Sequence, residues 1–425
     1  MTILNKFYRP LTAASTQIEL RKQTQKVVRQ IEGSELDAFS WIQQTPPALQ
    51  GDDMADQLLE RPLVGLPIAV KEVIDVAGAP ISYGCDAFAG RVAVSNAEVV
   101  TKLEVLGAQV IGITRSTEMA IARETTTRNP WSPHHSPGAS SSGSAAAVGA
   151  GLVPFALGTQ TIGSVIRPAA YCGVIGFKPS IGTGSLSGIL SLSPTLDHVG
   201  FFSDSLERMT EIMSLMFPSM PPSLGVSPRF VFIEPWFECA GLEPLFAKQR
   251  CLEAACAKSG LDWVEKSLDL DLITHDAMVV NTILCFEMFK NWGYPLLNHP
   301  DVSDELKSFL RLGEEITPAE YEACLKSRLE MIELIEGQLD EGDIIVFPSV
   351  LGLPPKLGQG TGSRDPQRLW TLLGMPALNL PVGWDKGFPL NLQLIARRGE
   401  DRQLLAAARV VSCLVGQTTP AAFTT

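Results

Sequence analysis

Histidine is scarce in this chain, five residues in 425, and none stands as an evident base for a Ser-His-Asp triad. His134 and His135 are adjacent, so they lack the i, i+4 spacing that puts two metal ligands on one helix face. There is no GxGxxG and no Walker A loop, since GTGSLSG at Gly182 has the wrong spacing for either. The GxSxG elbow is missing too, because Gly138 to Ser142 reads GASSS. Positive charge is short: 34 Lys and Arg against 46 Asp and Glu leave a net charge of −12. That argues against nucleic acid or an anionic membrane as a partner, because both need clustered cations. Eight cysteines are scattered without a CxxC pair, which speaks for reduced, mostly buried thiols and against a disulfide framework. No long apolar run exists either. The least polar stretch, Ala145 to Gly158, is interrupted by Gly149, Gly151 and Pro154 and is too short for a membrane span. The first residues, MTILNKFYRPLTAASTQ, lack a basic segment followed by an apolar one, so no signal peptide is expected and the cytoplasm is the expected compartment.

What the chain does have is apolar mass and alternating elements. With 45% hydrophobic and 19% charged residues it reads as a globular protein able to bury a large core. Helices are expected over residues 12–32, 97–106, 205–216, 242–259, 276–292, 317–339 and 401–414. Strands are expected over 66–70, 109–113, 174–177, 198–202, 229–233, 343–347, 376–381 and 390–396. Ser116 is placed to cap a short helix. Alternation of this kind argues for an α/β architecture with a largely buried sheet. Pro218 to Pro228, PSMPPSLGVSP, is the best boundary candidate.

The chemistry concentrates between Ser132 and Ser180, where two serine-bearing turns, GASSSGS and TQTIGS, are joined by a small-residue segment. Small residues permit sharp turns and close approach of backbone. A flexible linker is the alternative, but an Ala-rich helical stretch and the strand-like run Val174 to Phe177 lie between and after the turns. A serine hydroxyl is a weak nucleophile until a base takes its proton. Without histidine, a lysine kept neutral by burial can substitute. Lys71 follows the apolar run LPIAV and so emerges at a strand end; a surface lysine paired with Glu72 or Asp75 is the alternative reading.

Several stretches resemble the amidase signature family, serine hydrolases that cleave amide C–N bonds through a Ser–cis-Ser–Lys triad. LPIAVKEVIDVAG is similar to that family's lysine segment. TRNPWSPHHSPGASSSGSAAAVGAGLVP resembles its bridging-serine loop, and GTQTIGSVIRPAAYCGVIGFKPS its nucleophile segment. SPTLDHVGFFSDSLE, DIIVFPSVLGLPP, LLGMPALNLPVG and LQLIARRGEDRQLL follow in the family's order. The resemblance is strong over 60–205 and clear over 340–410, and it hardly constrains the mainly helical stretch 206–340. It implies a single amidase domain over 1–425. The implied fold is a large mixed, mostly parallel central sheet with helices on both faces.

Carried over by position, the resemblance implies Ser164 as nucleophile, Ser140 as bridging serine, 164 − 140 = 24 residues earlier, and Lys71 as base. Ser141 and Ser142 are then bystanders. Backbone N–H groups of Thr161, Ile162, Gly163 and Ser164 would face the developing oxyanion. The peptide bond between Ala139 and Ser140 would be cis, and no metal or organic cofactor would be needed. Departures are Ala139 and Ser142 in place of glycines, Gln160 in place of the commoner aspartate, and Ile162 in place of the first glycine of the turn. A β-branched Ile162 would fit poorly if that position requires φ > 0. The TQTIGSVIRPA pattern and the compact length look most like the malonamidase-like, free-standing branch. The expected partner is a small linear amide, with no nucleic acid bound directly, no membrane, and room for a homodimer. The glutaminase-type A component of a tRNA-dependent amidotransferase is the alternative, and a catalytically dead binding protein a third. Arg167, three residues beyond Ser164, is expected either to grip a substrate carboxylate or to brace the loop against an Asp or Glu. Trp236, Phe286, Phe289 and Trp292 could line an acyl pocket, but Ile283, Phe286 and Met288 equally look like the core face of a helix, and the periodicity favours core.

Overall fold

The computed structural model describes residues 17–44, 61–223, 225, 227–238, 241–267 and 273–416. The first part of the expected helix over 12–32, the middle of the Pro/Ser-rich loop and Cys239 lie outside the described residues. Eleven strands form one sheet in the order β1-β3-β2-β4-β6-β5-β10-β11-β9-β7-β8. They are β1 (Phe39–Ile42), β2 (Pro67–Lys71), β3 (Gln109–Thr114), β4 (Phe155–Gln160), β5 (Ile175–Lys178) and β6 (His198–Ser203). The rest are β7 (Arg229–Ile233), β8 (Trp263–Lys266), β9 (Asp343–Pro348), β10 (Ala377–Asp385) and β11 (Phe388–Ile395).

Every residue of β2, β3, β4, β6 and β9 is buried, as expected of strands covered on both faces. Helices supply the cover. On one face α1 (Gln17–Glu32) and α3 (Ser142–Gly149) pack Val27, Val28 and Ile31 with Ala145 to Val148 against Ala69, Ile111 and Ala156. The same core holds Ala169 and Cys172 of α4 (Ile166–Cys172), and α3 is buried along its whole length because its side chains are so small. The larger core on the other side takes in α2 (Glu98–Val105), α5 (Leu206–Met216) and α6 (Glu243–Lys258). It also takes in α7 (Asp276–Leu297), α8 (Asp304–Glu315), α9 (Pro318–Gly337), α10 (Asp365–Leu372) and α11 (Asp401–Val415).

The sheet is mixed, but less parallel than expected. Four pairings are parallel, β3–β2, β2–β4, β9–β7 and β7–β8. The six others are antiparallel. One cause is local: β10 and β11 are joined only by Lys386 and Gly387, at φ 49° and 83°. Two consecutive positive φ values make the tight hairpin turn that forces neighbouring strands antiparallel. Ser116 does not cap the short helical turn Glu118–Ala120, which begins after Thr117 and has no side-chain cap. The seven described cysteines are all unpaired, with Cys251 and Cys413 exposed. No helix among the described residues is long and apolar enough to cross a membrane.

Candidate active site

Parallel pairing of β2 with β4 brings the ends of both strands to one place. Val70 lies opposite Leu157, so Lys71 and Thr159 sit at the carboxyl ends of adjacent strands. Lys71 is fully buried, with Nζ 2.7 Å from Ser140 Oγ and 2.8 Å from Thr159 Oγ1. Burial pulls its pKa down to about 7, against the opposing pull of Asp197 and, more weakly, Glu72. The surface-lysine alternative fails on geometry. Asp75 is paired with Arg91 through two 2.8 Å bonds, and the Glu72 carboxylate accepts the Ser116 N–H at 2.6 Å.

Of the neighbouring serines, only Ser140 reaches Lys71. Ser141 Oγ is taken up by the backbone of Thr159, donating to its carbonyl at 3.1 Å and accepting from its N–H at 3.3 Å. Ser142 Oγ meets Thr125 Oγ1, and Ser144 Oγ donates to the Leu157 carbonyl. The loop before Ser140 turns at Gly138, with φ 114°, where a Cβ would stand 2.8 Å from Pro168 Cα. Glycine is required there for both reasons. The expected cis bond between Ala139 and Ser140 is absent: no described peptide bond is cis. The turn is made at Gly138, and the bond to Ser140 keeps the trans form that non-proline peptides favour.

Ser164 ends the turn between β4 and α4. Gln160 organises that turn, its Oε1 accepting from Val165 N at 2.8 Å and Ile166 N at 3.0 Å. Its Nε2 donates to Thr371 Oγ1, which in turn donates to the Ile162 carbonyl at 2.6 Å. Ile162 is buried and is not among the residues with positive φ, so its β-branch meets no backbone penalty. A Cβ on Gly163 would meet Gln367 Oε1 at 2.6 Å, so a side chain there would have to displace the end of Gln367.

A cavity of about 280 Å³ opens on Ser140, Thr161, Ile162, Gly163, Ser164 and Arg167. Lys71 stands behind Ser140, outside the cavity lining. Ser164 is half-buried, and no hydrogen bond joins it to Ser140 among the described residues; catalytic hydrogen bonds often tighten only once substrate is bound. Arg167 is 3% exposed, donates from Nη1 to the Gly362 carbonyl at 2.6 Å, and has no partner for Nε. Among the described residues no carboxylate lies within ion-pair distance of it, so the bracing ion pair is not formed. Burial, with the nearby Arg364 charge, lowers its pKa to about 10. Arg364 lines the same cavity.

Sequence reading missed Thr159, Asp197 and Arg364. Thr159 carried a weak signal, a hydroxyl residue inside the apolar run of β4. Asp197 precedes the β6 run, and Arg364 follows the glycine-rich GQGTGS, but nothing local tied either to Ser164. Of the helix face favoured as core, Ile283 and Met288 are fully buried and Phe286 is half-buried. Trp236 packs on Phe347 and Trp370, Phe286 stacks on Tyr321, Trp292 meets Tyr83 and Phe88, and Phe289 packs partly buried against the main cluster. None of them lines the cavity.

Comparison with known proteins gives a consistent picture. The family model described as Amidase matches residues 24–234 and 254–405. The A component of glutamyl-tRNA(Gln) amidotransferase from Agathobacter rectalis is 28% identical over 407 residues, covering 82% of this chain and 80% of the relative. Indoleacetamide hydrolase of Pseudomonas savastanoi is 28% identical over 401 residues, covering 84% of each. A solved structure described as an amidase superposes with a TM-score of 0.82 at 27% identity, over 95% of this chain and 97% of that one. In fold alone, 6-aminohexanoate cyclic dimer hydrolase in complex with its substrate is similar, with a TM-score of 0.81 at 22% identity, over 97% and 98% of the two chains.

Proposed function

From the premise that the chain belongs to the amidase family, and so is a hydrolase acting on C–N bonds, we propose that it cleaves a small linear carboxamide through Ser164, Ser140 and Lys71. The observation that carries this reading is the buried contact of Lys71 Nζ with Ser140 Oγ, 2.7 Å, at a site where burial brings the pKa of the amine to about 7. Neutral Lys71 takes the proton of Ser140, which takes that of Ser164, and Ser164 Oγ attacks the carbonyl carbon. Backbone N–H groups of Thr161, Ile162, Gly163 and Ser164 receive the oxyanion, each donor of this kind being worth about 3–4 kcal/mol. The proton returns by the same route to the leaving amine, and water then hydrolyses the acyl-enzyme.

The size of the cavity supports a small substrate. Three guanidinium groups line it beside the carboxylates of Glu124 and Glu305; Arg123 is paired with Asp86, and the other two, Arg167 and Arg364, support a substrate bearing a carboxylate. The pattern TQTIGSVIRPA supports a free-standing, malonamidase-like enzyme. A second reading, the glutaminase-type A component of a tRNA-dependent amidotransferase, is favoured by the names of relatives at about 28% identity. Assaying the purified chain alone on carboxylated, neutral and aromatic amides separates the two. Hydrolysis without partner proteins, lost in Ser164→Ala, supports the first. A phosphonate adduct on Ser140, Ser141 or Ser142 in place of Ser164 would overturn the site assignment.

A further inference from the structure

The segment from Ser191 to His198 joins the nucleophile turn to the helices of the region that sequence hardly constrained. Asp197 Oδ1 accepts from Thr161 Oγ1 at 2.7 Å, and Oδ2 accepts from the backbone N–H groups of Leu192 and Ser193, each at 2.9 Å. On its other side the segment is held by Glu287 of α7, which accepts from Ser193 Oγ at 2.5 Å and from the Thr195 N–H at 3.1 Å. Tyr321 of α9 donates to the same carboxylate at 2.6 Å, and Trp292 Nε1 donates to the Ser191 carbonyl at 2.7 Å. Asp197 is buried, forms no ion pair among the described residues, and is the charge that most strongly favours the protonated form of Lys71.

A carboxylate there is costly on two counts. It is desolvated, and it works against a neutral Lys71. Asparagine would avoid both costs, but its NH2 would face the Leu192 and Ser193 N–H donors or the Thr161 hydroxyl. Only a carboxylate accepts on both oxygens: with asparagine the Thr161 hydroxyl would have to accept from the NH2 instead of donating, and Ser191 Oγ, 3.4 Å from Oδ2, is a fourth donor to the native carboxylate.

We propose that Asp197 is a positioning residue for the reaction, holding the oxyanion turn through the Thr161 hydroxyl and the Ser191–His198 segment. The inference rests on the Ser164–Ser140–Lys71 reading. The charged and titratable groups that face the pair are Glu72, whose neighbour is Arg115, and Glu287 with Tyr321 beside it. Burial pushes the Asp197 carboxyl up to about 6, and Glu287 adds to that. Removing the Asp197 charge therefore lowers the Lys71 pKa, whereas removing the Thr161 hydroxyl loosens the turn and leaves the charge in place.

The test is the rate at which a small fluorophosphonate labels Ser164 between pH 5 and 9, which needs no knowledge of the substrate. Wild-type labelling should rise with a midpoint near 7. In Asp197→Asn the midpoint should move down by about 0.5–1 pH unit and the plateau should fall about 10- to 100-fold. In Thr161→Val the plateau should fall by a similar factor with the midpoint in place, and Thr161→Ser should restore it. A wild-type plateau in Asp197→Asn would overturn the positioning role, and the shifted midpoint marks the loss of its charge as distinct from a merely structural change. A wild-type plateau in Thr161→Val would overturn the positioning role, and the Thr161 pair decides even if Asp197→Asn fails to fold. Wild-type protein labelled elsewhere than Ser164 would overturn the underlying site reading instead, a result distinct from either.

Discussion

Thr159 Oγ1 lies 2.8 Å from Lys71 Nζ, so the buried amine has two oxygen neighbours on two different elements, the other being Ser140 Oγ. A neutral amine carries two N–H bonds and one lone pair. If Thr159 accepts one N–H, rotation of the amine is restricted and the lone pair is held toward Ser140. Replacing Thr159 with valine keeps the shape and removes the acceptor. We expect kcat to fall about tenfold or more with KM little changed, as when a catalytic group loses its alignment. Thr159→Ser should recover most of the rate; equal losses in both variants would show that packing, and not the hydroxyl, matters.

The buried lysines make a prediction about stability. Lys71 and Lys178 both have pKa values brought down to about 7 by burial. An unfolded lysine titrates near 10.4. Above about pH 7 the unfolded chain therefore binds more protons than the folded one, and stability rises with pH. The slope is about 1.4 kcal/mol per pH unit for each lysine. It should be clearest between about pH 7 and 8.5, because buried thiols such as Cys172 and Cys285, pushed up by burial, oppose it above that. Chemical denaturation of Lys71→Met should show a slope smaller by about one proton; an unchanged slope would mean that Lys71 is protonated in the folded protein near pH 7.

Gln160 gives a prediction where this chain departs from the family pattern. Its Oε1 satisfies two buried backbone N–H groups, those of Val165 and Ile166. Leaving a buried donor without an acceptor costs about 1–3 kcal/mol each. Gln160→Ala should thus lower stability by about 2–6 kcal/mol in urea titration. Gln160→Glu keeps the acceptor but adds a negative charge near Lys71, and should move the rise of activity to higher pH. A shift to lower pH would contradict the relay.

How much of the fold and site is legible in the sequence depends on whether the signal is local. Lys71 was readable because an apolar run of buried positions ends on it. Ser140 and Ser164 were singled out by resemblance to a family pattern and not by a local rule, since the contact of Ser140 with Lys71 spans 69 positions. Strand direction was not readable, since residue order gives no partner: of the six antiparallel pairings only β10–β11 is closed by a tight hairpin, at Lys386 and Gly387. Helix α8 does carry a helical period, with Leu306, Phe309, Leu310 and Gly313 at i, i+3, i+4 and i+7, so its absence among the expected helices has no physical cause. In α10 the buried face mixes polar Gln367 and Thr371 with Leu369 and Trp370, which blurs the apolar pattern. Strands β1 and β8, only four residues each and partly exposed, gave no alternation to detect. Asp197 acts on Thr161 across 36 positions, and no spacing rule reaches that far.

Arg167 and Arg364 carry the last prediction, which concerns substrate choice. Both line the cavity beside Ser164, and neither forms an ion pair with a described carboxylate. Glu305 lines the same cavity and favours the charged form of Arg364, but not within ion-pair distance. Burial lowers the pKa of both guanidinium groups, and the charge of Arg364 adds to the effect on Arg167. A bound carboxylate would offset that cost and satisfy the free Arg167 Nε. The prediction compares a monoamide of a dicarboxylic acid with the neutral amide of equal length. Arg364→Gln should reduce kcat/KM for the charged substrate by about 2–4 kcal/mol more than for the neutral one, the range for breaking a desolvated ion pair. Arg167→Gln should do the same, with an added loss common to both substrates because its bond to the Gly362 carbonyl goes too. Equal losses on both substrates in both variants would leave the guanidiniums as structural supports for the glycine-rich loop and remove the carboxylate from the substrate.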